Sequence, residues 1–416
     1  MTTGWLTAIA SFVAHDVIVV CLIPVVLLRR KEPAATTAWI FAILLMPFIG
    51  AIAFLAFGND RMARRSAMRE SRKRQFRGTV RQVVEGHGSP IDMRGQLQLY
   101  RLLERINPLP TCVGNHVEIF QDMEKNYARQ LAAIAAAKDH VHMEYYIFQT
   151  DEIGQRFRDE LIAAARRGVQ VRFVYDSLGS WSLNRSFLRK MREAGVEVAP
   201  FIPLNLLSRR WIFNFRNHRK ILVVDADVGF IGGANIGLEY LGKSDVGHWA
   251  DTHLCVTGPI VSHLQRVFAE DWAFASGQEI QGDHYYRATK SKGKVTAQVV
   301  PGGPDQPVPV YRELYFSAVA NAVERIRICT PYFVPTEATL LALQTAARRG
   351  VDVRVLVPGR STHYFVKLAS ESYYDDLLEA GVKIYEIKDG FMHSKVLSID
   401  GRWSVVGTRR TSTTEA

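Results

Sequence analysis

Two short stretches of this chain share one layout. Asn217-His218-Arg219-Lys220-Ile221-Leu222-Val223-Val224-Asp225 contains His-x-Lys-x4-Asp, and so does His393-Ser394-Lys395-Val396-Leu397-Ser398-Ile399-Asp400. In both, a glycine stands seven residues after the aspartate, Gly232 and Gly407. The apolar, β-branched residues inside each copy predict a strand. Side chains alternate along a strand, so His218 and Lys220 share a face, as do His393 and Lys395. Two such pairs brought together put two imidazoles and two ammonium groups around one small space. That set suits a tetrahedral phosphate in a diester.

The chemistry follows from the residue types. A neutral imidazole can attack phosphorus and form a phosphohistidine. A second, protonated imidazole can donate to the leaving alcohol oxygen and later take a proton from the incoming one. Two lysines can neutralise the equatorial oxygens of the transition state. Gly232, Gly233 and Asn235 after the first copy, and Gly407 and Thr408 after the second, can bring donors to a phosphate. The arrangement calls for no metal and no cofactor. A single His-x-Lys beside a strand is more often structural, but two copies with Asp and Gly at equal offsets leave little room for chance.

The surroundings of the motif also repeat. Ala346-Ala347-Arg348-Arg349-Gly350-Val351 echoes Ala164-Ala165-Arg166-Arg167-Gly168-Val169, and Glu379-Ala380-Gly381-Val382 echoes Glu193-Ala194-Gly195-Val196. Strands are expected at 117–120, 142–148, 169–175, 196–201 and 251–256, with helices at 123–137, 152–167, 184–193 and 259–275. Alternating strands and helices predict an α/β sheet covered by helices. The expected organisation is two apolar spans in 1–58, a basic linker in 59–111, a first half in 112–277, a linker in 278–303 and a second half in 304–416.

Residues 5–28 and 34–57 are each long and apolar enough to span a bilayer, although His15 and Asp16 interrupt the first and Pro47 lies in the second. They predict a transmembrane helical hairpin. The net charge is +11. Residues 1–78 hold eleven Lys/Arg and four Asp/Glu, so most of the excess sits beside the apolar spans. That argues for contact with anionic lipid headgroups rather than with nucleic acid. Eight basic residues follow the second span against three in the turn, which favours a cytoplasmic catalytic part. The four cysteines are far apart, with no CxxC, so thiols in a reducing compartment are expected. The stretch 202–215 interleaves Leu206, Leu207, Trp211, Phe213 and Phe215 with Arg209 and Arg210, and reads as a core loop or an interfacial lip.

With both motifs, the repeat and the apolar N-terminus in view, the chain resembles the phospholipase D superfamily, and within it the bacterial cardiolipin synthases. The resemblance covers essentially the whole chain. It implies duplicated phospholipase D-like α/β halves with a central two-motif active site, preceded by the N-terminal hairpin, in a multi-pass protein of the bacterial inner membrane. It implies transfer of a phosphatidyl group between two phosphatidylglycerol molecules, giving cardiolipin and glycerol. Its catalytic set falls on His218, Lys220, Asp225, His393, Lys395 and Asp400, with His218 as nucleophile and His393 as acid/base; near-symmetry leaves that order open. Asp225 and Asp400 read as structural members of the set. Asp251 is expected to hold His218 in the right tautomer. Tyr145, Tyr146 and Tyr332 are candidates for the cleft or the core. A phospholipase D or other phosphodiesterase, and a truncated, inactive membrane protein, are the alternatives. The last arises because sixteen residues follow Asp400 and Arg410 stands where Asn235 stands in the first copy. A last strand and helix, with any counterpart of Asp251, are then expected to be missing from the second half. Oligomeric state is not legible.

Overall fold

The structure is a computed structural model and describes residues 2–28, 33–55, 97–202, 216–244, 247–287, 290–302, 310–360 and 364–407. The basic stretch 61–77, the aromatic stretch 203–215, Thr408 and Arg410 lie outside the described residues. The chain divides into two compact units, 1–68 and 69–416.

The first unit holds helices α1 (Thr2–Leu28), α2 (Pro33–Leu45) and α3 (Pro47–Ala53). The second apolar stretch is thus two short helices rather than one span. Pro47 has no N–H to continue the ladder of α2, yet its fixed φ suits the first position of α3. The expected hairpin is not seen: among the described residues no helix is long and apolar enough to cross a membrane. Val26, Ile43 and Phe54 form the small core of the unit, with Trp39 packed edge-on against Phe54 at 5.5 Å. Val20, Leu28, Leu45, Ile49 and Ile52 remain exposed, an apolar surface larger than a water-facing helix usually carries.

The second unit runs α4 (Leu97–Ile106), β1 (Cys112–Phe120), α5 (Met123–Ala136), β2 (His140–Tyr145), α6 (Glu152–Arg166), β3 (Gln170–Tyr175), α7 (Arg185–Glu193), β4 (Glu197–Pro200), β5 (Lys220–Val224), β6 (Val228–Gly232), β7 (Trp249–Ala250), β8 (His253–Thr257), α8 (Ile260–Ser276) and β9 (Val295–Ala297). It continues with α9 (Val310–Ala320), β10 (Arg325–Cys329), α10 (Glu337–Arg348), β11 (Asp352–Pro358), α11 (Tyr364–Glu371), α12 (Tyr374–Glu379), β12 (Lys383–Ile387), β13 (Phe391–Met392), β14 (Val396–Ile399) and β15 (Trp403–Val406).

The repeats seen in sequence are helix endings. Gly168, Gly195, Gly350 and Gly381 all take φ between 90° and 94°, where a side chain would be strained. Beside each, the next residue's N–H turns back into the helix, Val169 to Ala164 O and Val351 to Ala346 O among them. Starts are capped by Asp122, Asp151, Asn184 and Thr336, whose side chains accept N–H bonds from the first turn.

The first sheet has the order β4-β3-β2-β5-β6-β8-β1-β9 and the second β12-β11-β10-β14-β15. The first five strands of each correspond one to one. In both, three parallel strands are followed by two antiparallel ones. The motif strands β5 and β14 occupy the same place in the two sheets. β5 is buried on both faces, which explains its unbroken apolar run: Leu222 and Val224 pack toward α5 and α6, Ile221 and Val223 toward α8.

The halves interleave at two places that sequence placed in linkers. β9, from 278–303, pairs with β1 in the first sheet, Cys112 opposite Ala297. α4, from 59–111, buries Leu99 and Leu103 in the second core beside Leu314. The halves meet where β7 pairs in parallel with β13, Trp249 opposite Phe391 and Ala250 opposite Met392.

Candidate active site

Both motifs lie at one kind of place. Lys220, the first residue of β5, is opposite Tyr145, the last of β2. Val396, the first of β14, is opposite Cys329, the last of β10. Each histidine precedes its strand by two or three residues, so each stands at the carboxyl edge of the parallel strands, where α/β sheets usually present their ligands.

The aspartates go elsewhere. Asp225 follows Lys220 by five residues, about 17 Å along a strand. Its carboxylate accepts the N–H groups of Lys138, Asp139 and His140 at 3.0, 2.8 and 3.0 Å. Asp400 accepts those of Val323, Glu324 and Arg325 at 3.2, 2.8 and 2.9 Å. Both take a left-handed φ, 53° and 54°. Each therefore ties the far end of its motif strand to the start of the neighbouring parallel strand. Of the set grouped as catalytic in sequence, Asp225 and Asp400 do not reach the reacting space.

Asp251 also departs from expectation. Its Oδ2 lies 2.7 Å from His393 Nδ1, so it orients the second motif's histidine and not His218. The cause is the pairing of β7 with β13, which delivers Asp251 across to the second half; His393 N–H donates to Ala250 O at 2.8 Å. Asp251 is buried, which would raise its pKa, but Lys395 and His393 outweigh that and hold it below the usual carboxylate range. Around the same nitrogen of His393 stand the Tyr240 hydroxyl at 3.3 Å and Lys395 Nζ at 3.1 Å. Burial, followed by the charge of Lys395, brings His393 down to about 4, against the pull of Asp251.

His218 is stacked on Tyr146, ring centroids 4.0 Å apart. Lys220 is buried, donates to His218 O at 2.6 Å and sits 5.3 Å from the centre of the same ring. Lys395 likewise donates to His393 O. Burial and then the charge of Lys395 lower Lys220 to about 7. Two ammonium groups from different halves, each depressed or flanked by the other, form a site that gains from an anion between them.

Beneath His218 is a buried polar network. Asn217 donates through Nδ2 to Glu144 and, at 3.4 Å, to Asp271, while its Oδ1 accepts Arg219 N–H at 3.0 Å. Arg219 is ion-paired with Asp271. Asn217 N–H donates to Asp176 Oδ2 at 3.3 Å. Burial and the nearby Asp271 carboxylate push Glu144 well above its ordinary range. The network fixes the backbone that presents His218. Sequence reading missed Glu144, Asp271 and Tyr240. Only Asn217, inside the motif stretch, was in view.

The expected phosphate-side donors have partners already. Gly233 N–H donates to Thr252 O at 2.9 Å, and Gly407 N–H to Lys395 O at 2.8 Å. Asn235 accepts Ile147 N–H at 3.2 Å and donates to Tyr240 OH at 3.0 Å. Gly232 lies within β6, opposite His253. The glycines are needed for closeness: a Cβ at Gly233 would lie 2.0 Å from Asp251 Oδ1. Gly233→Ala is expected to displace that carboxylate and lower turnover by about 10–100-fold, with an unchanged far-ultraviolet dichroism spectrum. Unchanged kinetics would show that Asp251 tolerates the shift. Of the tyrosines, Tyr146 lines the site. Tyr145 belongs to the core, its hydroxyl donating to Gln130 at 2.9 Å, and Tyr332 is buried.

With this geometry in hand, likeness to known proteins is informative. The family described as "Cardiolipin synthase, PLD-like domain" matches residues 131–272 and 315–409, and "Phospholipase_D-nuclease N-terminal" matches 17–59. A protein of Geobacillus kaustophilus named cardiolipin synthase is 40% identical over 393 residues, 92% of this chain and 78% of that one. One of Halalkalibacterium halodurans with the same name is 38% identical over 97% of this chain and 82% of its own. Among solved structures, the phosphatidylserine synthase of Haemophilus influenzae matches with a TM-score of 0.51 at 16% identity, covering 73% of this chain and 80% of that one, a likeness of fold.

Proposed function

Because the chain belongs to the cardiolipin synthases of the phospholipase D superfamily, we propose that its two motifs form one site passing a phosphatidyl group from one phosphatidylglycerol to another. It is an enzyme with cardiolipin synthase function; the roles below are our reading. The observation that carries them is the contact between Asp251 of the first half and His393 of the second, which makes the two motifs one unit.

His218 Nε2 attacks phosphorus of the first lipid. The phosphorus–oxygen bond to the glycerol headgroup breaks, and His393 gives its proton to the departing oxygen. A hydroxyl of the second phosphatidylglycerol then attacks the phosphohistidine. His393 takes that hydroxyl's proton, the phosphorus–nitrogen bond breaks, and cardiolipin leaves. One phosphodiester is broken and one made, so no nucleotide is consumed. Lys220 and Lys395 hold the non-bridging oxygens. His393 suits the acid/base role because a carboxylate on Nδ1 supports its imidazolium. In the empty site burial, and after it the charge of Lys395, hold its pKa down, and the bound diester anion offsets the lysine charge. The exposed apolar helices of 1–68 fit association with a bacterial membrane, with the catalytic unit on the cytoplasmic side.

Purified protein in detergent, given phosphatidylglycerol labelled in the headgroup glycerol, should release labelled glycerol and form cardiolipin in equal amounts. Phosphatidic acid in place of cardiolipin would make water the acceptor, and the enzyme a phospholipase D.

A further inference from the structure

We propose that Trp181, Tyr364 and Phe365 form a rim that seats the mouth of the active site on an anionic bilayer surface. The proposal rests on the lipid substrate read above, and extends it to how the site meets that lipid.

The starting observation is exposure. Among the described residues of 69–416, three aromatic side chains are more than half exposed: Trp181 at 80%, Tyr364 at 69% and Phe365 at 84%. Among the other described Phe, Tyr and Trp side chains of this unit the most open are Phe316 and Tyr385, each at 46%, so these three stand apart. They are also not scattered. Trp181 follows β3, and Tyr364 and Phe365 follow β11. β3 and β11 hold the same place in the two sheets, and their carboxyl ends lie on the edge where His218 and His393 stand. Each half thus raises an exposed aromatic from the corresponding crossover, on the catalytic edge.

Trp181 is not exposed because its loop is loose. Asp176 Oδ1 accepts the N–H groups of Leu178 and Gly179, both at 3.0 Å, and Ser180 Oγ donates to Tyr146 O at 3.0 Å. At Gly179 a Cβ would meet Tyr146 O at 2.3 Å, so the loop is pressed against the residue whose ring stacks on His218. The turn is fixed to the site wall, yet its indole faces outward. In the second half, Gly359 N–H donates to Ile387 O at 2.8 Å and Lys367 Nζ to Gly359 O at 2.6 Å, which anchors α11. Its face with Tyr364, Phe365 and Leu368 stays uncovered.

Charge names the occupant. Residues 177–192 contain four Lys/Arg and no Asp/Glu, and residues 359–370 contain two and none. Glu193 and Glu371, the next residues, pair with Arg189 and Lys367, both at 3.6 Å, so an excess of three cations remains beside Trp181 and of one beside Tyr364 and Phe365. Exposed aromatics beside such an excess match the boundary between acyl chains and anionic headgroups. A soluble protein partner would not require both halves to place them around the mouth of a lipid-processing site.

The test places an environment-sensitive thiol fluorophore at Trp181→Cys, Phe365→Cys or Val323→Cys in the full chain, with Cys21 and Cys329 changed to Ser. Val323 is 74% exposed and precedes β10, on the opposite edge, so it serves as control. In vesicles rich in phosphatidylglycerol, probes at 181 and 365 should emit to the blue and be quenched by brominated acyl chains. The probe at 323 should behave as in water. Cardiolipin formation is measured on the same samples. Aqueous emission at all three sites with turnover intact would overturn the rim and leave the proposed function standing. Inserted probes without turnover would support the rim and overturn the function. Equal insertion into phosphatidylcholine alone would refute the anionic preference. As a second readout, Trp181→Ser with Phe365→Ser should lower turnover on vesicles by about tenfold while sparing it in detergent micelles. Equal loss in both would count against docking.

Discussion

Alanine at His218 or at His393 is expected to lower phosphatidyl transfer by at least about a thousandfold, and the double variant to be no worse than either single one. The reason is that the two imidazoles act in one cycle and share one set of neighbours. His393 has Asp251 of the other half on its Nδ1, and burial and the lysines of both halves set its charge state. Removing either ring leaves the phosphorus–nitrogen bond unformed or the leaving oxygen without a proton. Asp251→Asn should do less, about 10–100-fold, because the ring is then misoriented rather than absent. Phosphate trapped on the chain that is stable to alkali and labile to acid marks the covalent step. It should be lost in His218→Ala. Near-normal turnover of labelled phosphatidylglycerol by either single alanine variant would end the shared-site reading, and label retained in His218→Ala would reverse the two roles.

Much of this site was legible because it is made of local patterns. His218, Lys220, His393 and Lys395 announce themselves by spacing, and the equal offsets to Asp225, Asp400 and the glycines identify a repeat. The helix endings at Gly168, Gly195, Gly350 and Gly381 made the repeat visible between the motifs, since only a residue free to take positive φ ends a helix in that way. What sequence could not supply is pairing over distance. Asp251 was assigned to His218, its neighbour in the chain. Only the β7–β13 contact, two residues on each side, shows that it serves His393. Glu144 and Asp271 carry no local signal; they matter because β2 and α8 both pass beneath Asn217. Nor does the sequence show that Gly233 leaves room for the Asp251 carboxylate or that Asn235 donates to the Tyr240 hydroxyl. The second apolar stretch was read as a span on composition, and one residue, Pro47, divides it.

The charge of Lys220 gives the activity its pH dependence. In the empty site burial, and after it the charge of Lys395, bring the Lys220 ammonium down to about 7 from an ordinary value of 10.5. A lowered lysine pKa means that the proton is held below about 7 and lost above it. The anionic lipid needs that proton, because a neutral amine offers a phosphate oxygen no charge. Hence kcat/KM, which reports the free enzyme and also needs the proton of His393, held down to about 4, should fall about one further power of ten per pH unit once pH passes 7. Once bound, the phosphate favours the ammonium and raises its pKa again. At saturating lipid, kcat should therefore stay level well past pH 7. The same linkage predicts uptake of close to one proton when orthovanadate, a phosphate mimic, binds at pH 8. Calorimetry in buffers of different ionisation enthalpy reads that uptake directly. In Lys220→Met the uptake should be smaller and kcat/KM about a hundredfold lower, with no change of slope as pH passes 7. A variant that keeps the wild-type steepening at pH 7 would assign that titration to another group, and with it remove Lys220 from the phosphate.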